Sequence, residues 1–421
     1  GLVITSNGAI QGSPLGRTTQ RHAWTTHTIW ANNSGGSFSL NLTFAIHDLD
    51  ADHDELTRRP VGSVNYGGSY PSLILPFGEW AFPVGMDSLN RSTVSASHAG
   101  QGRVVGSGHE TMSVQSTGAH GNLSLNGLDW VCDGRQRVGL HSSFNGWQNT
   151  LLAEGYSVIT SATPADLSNL DCFVTKFWNS YSDVENAQIE QWLTAGGGLV
   201  MGGHAWYWSY SNSDVAHNYP GNKIAKTTGL LVSSKNIYTT TEVPDESWGP
   251  THRLYGALPL LEEHFAGTLM LTGMDADAVA NAVNLCASNL PLDYTAFWSA
   301  VWHLSNTTGW IHINASSTFT LNVDEIDDLL LNIQEQLMQK LPANELFMHP
   351  SSTSFPGPVY PTAPRLNRTI EIDGDFSGLP GNFGYANAGA HGRMSTGLYA
   401  APGEVVTVTL PPEILGEDAY I

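Results

Sequence analysis

Short apolar runs alternate with longer amphipathic ones between residue 135 and about residue 210. RQRVGLHS, YSVITSA, DCFVTKFW and GGLVMGGHAW read as strands, and FNGWQNTLLAEG and VENAQIEQWLTAG as helices. Near-continuously apolar strands joined through helices predict a parallel sheet covered on both faces. Right-handed crossovers make a doubly wound, flavodoxin-like order the expected one. Ala195-Gly196-Gly197-Gly198 stops the second helix and permits a close backbone approach. It is not a phosphate loop, because neither GxGxxG nor GxxxxGK[ST] is present.

The flanks differ from this centre. Residues 1 to 65 contain HAWTTHTIWA and GSFSLNLTFAIHDL around NNSGG, which predicts a β-rich leader of antiparallel strands. Residues 68 to 132 read as short strands and turns, and residues 211 to 350 as mostly helical. In the latter, DADAVANAVNLCASNL offers Asp275 as an N-cap, and VDEIDDLLLNIQEQLMQKL is strongly amphipathic. SSTSFPGPVYPTAPR is a linker or an extended strap, and TIEIDGD and STGLYAAPGEVVTVTLP read as strands of a further β-domain. The expected class is α/β with β-rich flanks, divided as 1–65, 66–350 and 351–421. The last β-start leaves too little chain to close a sandwich, so the natural protein is expected to continue.

The chain has 421 residues and a net charge of −21, from 17 Lys and Arg against 38 Asp and Glu. An acidic surface without a basic patch disfavours nucleic acid and anionic membrane as partners. No run approaches the 18 apolar residues of a membrane span, and the opening GLVITSNGAIQG lacks a signal-peptide pattern. Few charges, 44 glycines and 13 tryptophans suit an extracellular, β-rich protein. Sequons begin at Asn32, Asn41, Asn90, Asn122, Asn306, Asn314 and Asn367 and are candidate glycosylation sites, although chance supplies several in so Asn- and Ser-rich a chain. Three cysteines, Cys132, Cys172 and Cys286, leave room for one bridge and a spare thiol, and none has zinc-ligand spacing.

Two places carry candidate chemistry. In DLDADHDE the alternate carboxylates Asp48, Asp50 and Asp52 would converge on calcium if the segment were a loop. EF-hand positions six and twelve hold His53 and Arg59, so a solvated acidic loop is the plainer reading. QGRVVGSGHE predicts a buried strand that presents His109 and Glu110 at its carboxyl end, where α/β folds place ligand sites. It is not HExxH, since Ser113 stands at the second histidine's place. Gly202-Gly203-His204 ends the fourth strand, and the following AWYWSY puts Trp206 and Trp208 at the same rim, able to stack on sugars or simply to pack.

Three stretches in order carry a family resemblance. EWAFPVG with ASHAGQGRVVGSGHE, then AGGGLVMGGHAWYW, then FPGPVYP with STGLYAAPGEVVTVTLP resemble the TRP-channel-associated factors and the related enhancin-like zinc metallopeptidases. The resemblance implies a glutamine-amidotransferase-like α/β domain over 66–350. It further implies the start of an enhancin-like β-sandwich that precedes a gluzincin domain. No catalytic residue carries over, because the family's HExxH is absent and no cysteine sits in a G-x-C-x-G elbow. The expectation is a non-catalytic amino-terminal region of a secreted protein, scaffolding or binding glycoprotein substrates for a downstream metallopeptidase. The alternative is an extracellular adhesion or channel-partner-like protein. A residual hydrolase of His109, Glu110 and His204 lacks a nucleophile or metal. No cofactor is expected within the chain beyond possible calcium, and zinc only with a downstream catalytic domain. The expected partner is a glycoprotein or other protein.

Overall fold

A computed structural model describes residues 3–4, 10–11, 25–33, 35–44, 47–66, 70–110, 114–320, 325–371 and 396–412. Two compact units divide the chain: residues 1–294 with 325–329, and residues 295–324 with 330–421.

The first unit opens with two antiparallel pairs, β1 (Val3–Ile4) with β2 (Ile10–Gln11) and β3 (Thr25–Asn33) with β4 (Gly36–Phe44). Helix α1 (Leu49–Leu56) follows, then β5 (Gly62–Val64), β6 (Ser72–Pro76), β7 (Ala81–Met86), β8 (Ser92–Ala99) and β9 (Gly102–Ser107). Next come α2 (Gly118–Cys132), β10 (Arg137–Leu140), α3 (Gln148–Ala153), β11 (Ser157–Thr160), β12 (Cys172–Lys176), α4 (Asp183–Thr194) and β13 (Gly198–Gly202). Short helices α5 (Ala205–Trp208), α6 (Val215–Asn218) and α7 (Asn222–Ala225) lead into β14 (Leu230–Asn236) and β15 (Thr241–Val243). Helices α8 (Leu254–Phe265) and α9 (Gly273–Asn289) follow.

Nine strands form one mixed sheet in the order β11-β10-β12-β13-β9-β8-β7-β15-β5. The half from β11 to β9 is parallel, as the alternation of strands and helices predicts. From β9 outward the pairing is antiparallel, so residues 81–107 extend the same sheet. β5 lies within the predicted leader yet pairs with β15, so the sheet crosses the expected boundary at residue 65. Within the predicted helical stretch, β14 pairs with β6 and β15 joins the large sheet.

Successive side chains of a strand point to opposite faces, and here both faces are dry. Val105, Val174 and Val200 enter one core with Leu128, Trp130 and Val131 of α2. Val104, Phe173, Leu199 and Met201 enter another with Ile189 and Leu193 of α4 and Tyr219. Helix α4 starts at a reciprocal cap between Ser182 and Glu185 and ends at Ala195. Beyond it Gly196 takes φ +112°, and a Cβ on Gly198 would lie 2.2 Å from the Val131 carbonyl oxygen. The glycine run is therefore a stop and a close approach, as its sequence predicts. Cys132, the last residue of α2, is disulfide-bonded to Cys172, the first of β12.

The acidic segment 48–55 is a cap and a helix, not a loop. Asp48 is the N-cap of α1, accepting from the Ala51 amide at 3.2 Å, and α1 buries Ala51, Asp52, His53 and Leu56. Asp275 is likewise not an N-cap: Thr272 holds that place and Asp275 lies in the first turn of α9.

In the second unit α10 (Thr295–Thr308) buries Phe297, Trp298, Val301 and Leu304. Helix α11 (Glu325–Lys340), whose first five residues are assigned to the first unit, buries Ile326, Leu329, Ile333 and Leu337, the stripe its pattern predicts. The described part of STGLYAAPGEVVTVTLP, residues 396–411, read as strand from sequence, shows no strand pairing among the described residues. Most of TIEIDGD lies outside the described residues.

Candidate functional site

The parallel strands β12, β13 and β9 are neighbours, and their carboxyl ends bring three remote segments together. Ser107 closes β9 in register with Gly202 of β13, and the Gly203 amide donates to the Ser107 carbonyl at 3.1 Å. His109 and Glu110 follow the first strand and His204 follows the second. The Ser107 hydroxyl donates to the His109 carbonyl at 2.9 Å. The Ser72 hydroxyl accepts from the amides of Ala205 and Trp206 at 2.9 and 3.3 Å, which fixes the start of α5.

The three side chains predicted separately from sequence form one cluster. Nδ1 of His204 lies 2.9 Å from Oε2 of Glu110, and Nδ1 of His109 lies 3.6 Å from the same oxygen. The imidazoles stack with centroids 4.9 Å apart and planes 15° from parallel. All three are partly buried. Burial lowers the His109 pKa and the neighbouring His204 adds to this, while the Glu110 carboxylate opposes it. Burial works to raise the Glu110 pKa, but the hydrogen bond and charge of His204 hold it below the ordinary carboxylate range.

Around the cluster stands an aromatic wall. Trp178, two residues beyond β12, packs edge-on against His204 at 5.5 Å and against Tyr219 at 6.1 Å. Tyr219 is fully buried, and burial together with the Glu110 charge raises its pKa well above the usual phenol value. Its hydroxyl and the Trp178 indole nitrogen have no hydrogen-bond partner among the described residues. Sequence reading missed both residues. FW directly after the DCFVTK strand was the available signal for Trp178; Tyr219 had none.

Trp206 and Trp208 separate. Trp206 lies 5.3 Å from His204 and donates its indole N–H to the Tyr70 carbonyl at 2.6 Å. Trp208 turns toward the core and meets Tyr219. The exposed rings of AWYWSY are Tyr207 and Tyr210, at 58% and 73%. Tyr210 lies 5.7 Å from Trp206, and Tyr70 and Tyr238, 4.6 Å from each other, extend a ledge of five rings. No sequence motif marks Tyr70 or Tyr238, which come from distant segments.

The carboxylates of 48–52 do not converge. Asp48 caps α1, Asp50 accepts from the Ser247 hydroxyl, and Asp52 is buried against His98 and Trp130. Of the sequons, Asn41, Asn306 and Asn367 are exposed. Asn90, Asn122 and Asn314 are half-buried, and the Asn122 side chain donates to the Pro60 carbonyl. The Asn32 side chain lies outside the described residues. Cys286 is the unbridged cysteine, and burial pushes its thiol up to about 12.

The fold is thus a mixed α/β domain with an imidazole-carboxylate cluster at the carboxyl edge of its parallel strands. The family model described as "TRPM8, N-terminal domain" (TCAF_N) matches residues 37–244, which hold this cluster. The chain is similar to a TRPM8 channel-associated factor homolog of Danio rerio, 25% identical over 363 residues, covering 84% of this chain and 37% of the relative. It is also similar to the homolog of Xenopus laevis, 28% identical, covering 82% and 35%. TRPM8 channel-associated factor 2 of Bos taurus is 34% identical over 38% of this chain and 17% of its own length. The chain therefore spans little more than a third of the first two. Among solved structures, the IMPa metallopeptidase of Pseudomonas aeruginosa in complex with an O-glycopeptide is similar, with a TM-score of 0.42 and 13% identity. That likeness covers 68% of this chain and 36% of the other. No helix among the described residues is long and apolar enough to cross a membrane.

Proposed function

We propose that this chain is a binding region of a longer secreted protein, presenting the aromatic ledge to glycoprotein partners. The observation that carries the reading is the exposure of Tyr207, Tyr210, Tyr70 and Tyr238 beside Trp206. Tyrosine and tryptophan faces stack on the apolar faces of sugar rings, while their polar tips hydrogen-bond. Exposed contiguous apolar surface marks interaction sites in general. Secretion draws support from the Cys132–Cys172 disulfide and the exposed sequons Asn41, Asn306 and Asn367. The glutamine-amidotransferase-like domain serves on this reading as a scaffold, and a metallopeptidase module, where one is attached, acts on what the ledge holds.

The test is titration of the chain with mucin-type O-glycopeptides and with the same peptides after deglycosylation. Tyr207→Ala and Tyr210→Ala should each weaken glycopeptide binding about tenfold, near 1.4 kcal/mol. Equal affinity of the variants and the native chain would sink the ledge as the binding surface. The second reading is a protein partner bound without sugar, favoured by the channel-associated names of the relatives. Undiminished binding after deglycosylation would select it.

A further inference from the structure

The structure assigns His109, Glu110 and His204 as the three protein ligands of a divalent transition-metal site, with zinc as the best-fitting ion. The inference is independent of the ledge, and it departs from the expectation that zinc belongs only to a downstream domain.

The donor set is the first reason. Two imidazole nitrogens and one carboxylate oxygen suit zinc, and three protein ligands with a fourth position open is a usual zinc arrangement. The carboxylate-rich, imidazole-free shell that calcium and magnesium favour is different.

Geometry is the second. Zinc bonds of about 2.0–2.2 Å set tetrahedral ligand-to-ligand edges of roughly 3.4 Å. The two edges to Glu110 Oε2, 2.9 and 3.6 Å, bracket that figure. One donor atom from each residue lies within 4.8 Å of the others. That spread exceeds the tetrahedral edge by no more than about 1.5 Å, a small swing of a half-buried ring. Both histidines turn Nδ1 to the same oxygen from the ends of adjacent, hydrogen-bonded strands. The backbone thus holds them in place before any ion arrives.

The third reason is independent of the ligands. Tyr219 Oη and Trp178 Nε1 are buried donors with no acceptor among the described residues. A buried donor left unpaired is costly, so such groups normally find an acceptor in protein, water or a bound ion's ligand. Both flank Gly203, the residue before His204: a Cβ placed there would lie 3.1 Å from Tyr219 Oη and from Trp178 Cδ1. A water or hydroxide on the open metal position is an acceptor of the kind these donors lack.

Untagged chain, stripped with chelator and dialysed, is titrated with zinc and with cobalt(II), followed by elemental analysis and the visible absorption of tetrahedral cobalt. About one ion per chain and a tetrahedral cobalt spectrum are expected. Glu110→Gln, His109→Gln and His204→Gln should each weaken binding at least about a hundredfold, since even residues behind a ligand cost 10–100-fold. Zinc should also shield His109 and His204 of the native chain from histidine-acylating reagent, read by mass spectrometry, which decides the matter even where a variant fails to fold. Less than about a tenth of an equivalent bound, unchanged affinity in the three variants, or protection of other histidines would overturn the assignment.

Discussion

Nε2 of His98 lies 2.7 Å from Oδ2 of Asp52, a residue 46 positions away, and both side chains are almost wholly shut off from water. The other carboxylate oxygen accepts from the Trp130 indole at 2.9 Å. Strand β8, helix α1 and helix α2 are thereby joined through one buried carboxylate. Removing one partner of a buried hydrogen-bonded pair leaves the other desolvated and short of that bond. His98→Ala is expected to lower unfolding stability by on the order of 3 kcal/mol. Asp52→Asn, which can still accept from Trp130 and donate to His98, should lose less. Urea denaturation of the two variants ranks them, and the reverse ranking would contradict this account.

The turn between β7 and β8 gives an acid-sensitive contribution. Asp87 is buried, and its oxygens accept from the amides of Leu89 and Arg91, the Arg91 guanidinium and the Thr239 hydroxyl. Burial acts to raise its pKa, but these hydrogen bonds and the Arg91 charge leave it below the ordinary value. A folded-state pKa below the unfolded one means that the stabilisation is complete above about pH 4 and is lost as pH falls through the folded value. Asp87→Asn should therefore cost stability at neutral pH, by about 2 kcal/mol, and much less at pH 2. Stability measured against pH for both proteins checks the convergence.

Thiol chemistry should count the cysteines unequally. The Cys132–Cys172 bridge spans 40 residues and ties the end of α2 to the start of β12. Under denaturant without reductant, a thiol reagent should label Cys286 alone, and after reduction all three. A loop of this length corresponds to about 4 kcal/mol in the chain-entropy picture, so Cys132→Ser with Cys172→Ser should unfold at clearly lower denaturant. Three labelled thiols before reduction would remove the basis for that loss.

How far the sequence could be read depended on where each residue's partners lie. Strands β10 to β13 were legible because their apolar runs and the caps of α4 are local. The Gly196–Gly198 run was legible too, since close approach needs no knowledge of what approaches. Helix α1 was not. Its inward positions include Asp52 and His53, and a polar buried face defeats hydrophobic periodicity. What makes that face tolerable is His98, Trp130 and the Pro244 carbonyl, all remote in sequence. The candidate site shows the same division. Strand ends flagged His109, Glu110 and His204 one by one, but only the neighbouring of β13 and β9 shows that they meet. Tyr219 arrives from a stretch with no pattern of its own.

The closeness of α2 to β13 sets a last prediction. A Cβ on Gly198 would sit 2.2 Å from the Val131 carbonyl oxygen and 2.7 Å from its carbon, both backbone atoms that no side-chain rotation can move. Gly198 also opens the strand whose far end carries His204, and its amide donates to the Asp171 carbonyl at 2.9 Å. Gly198→Ala should cost at least about 2 kcal/mol, because helix and strand must part to admit the methyl group. Gly146→Ala provides the control: no atom of the described residues lies within 4 Å of its added Cβ, and its φ is not in the left-handed region. Its effect should stay within about 0.5 kcal/mol. Equal stability of the two variants in thermal and urea unfolding would show that the contact between α2 and β13 is looser than its backbone distances indicate.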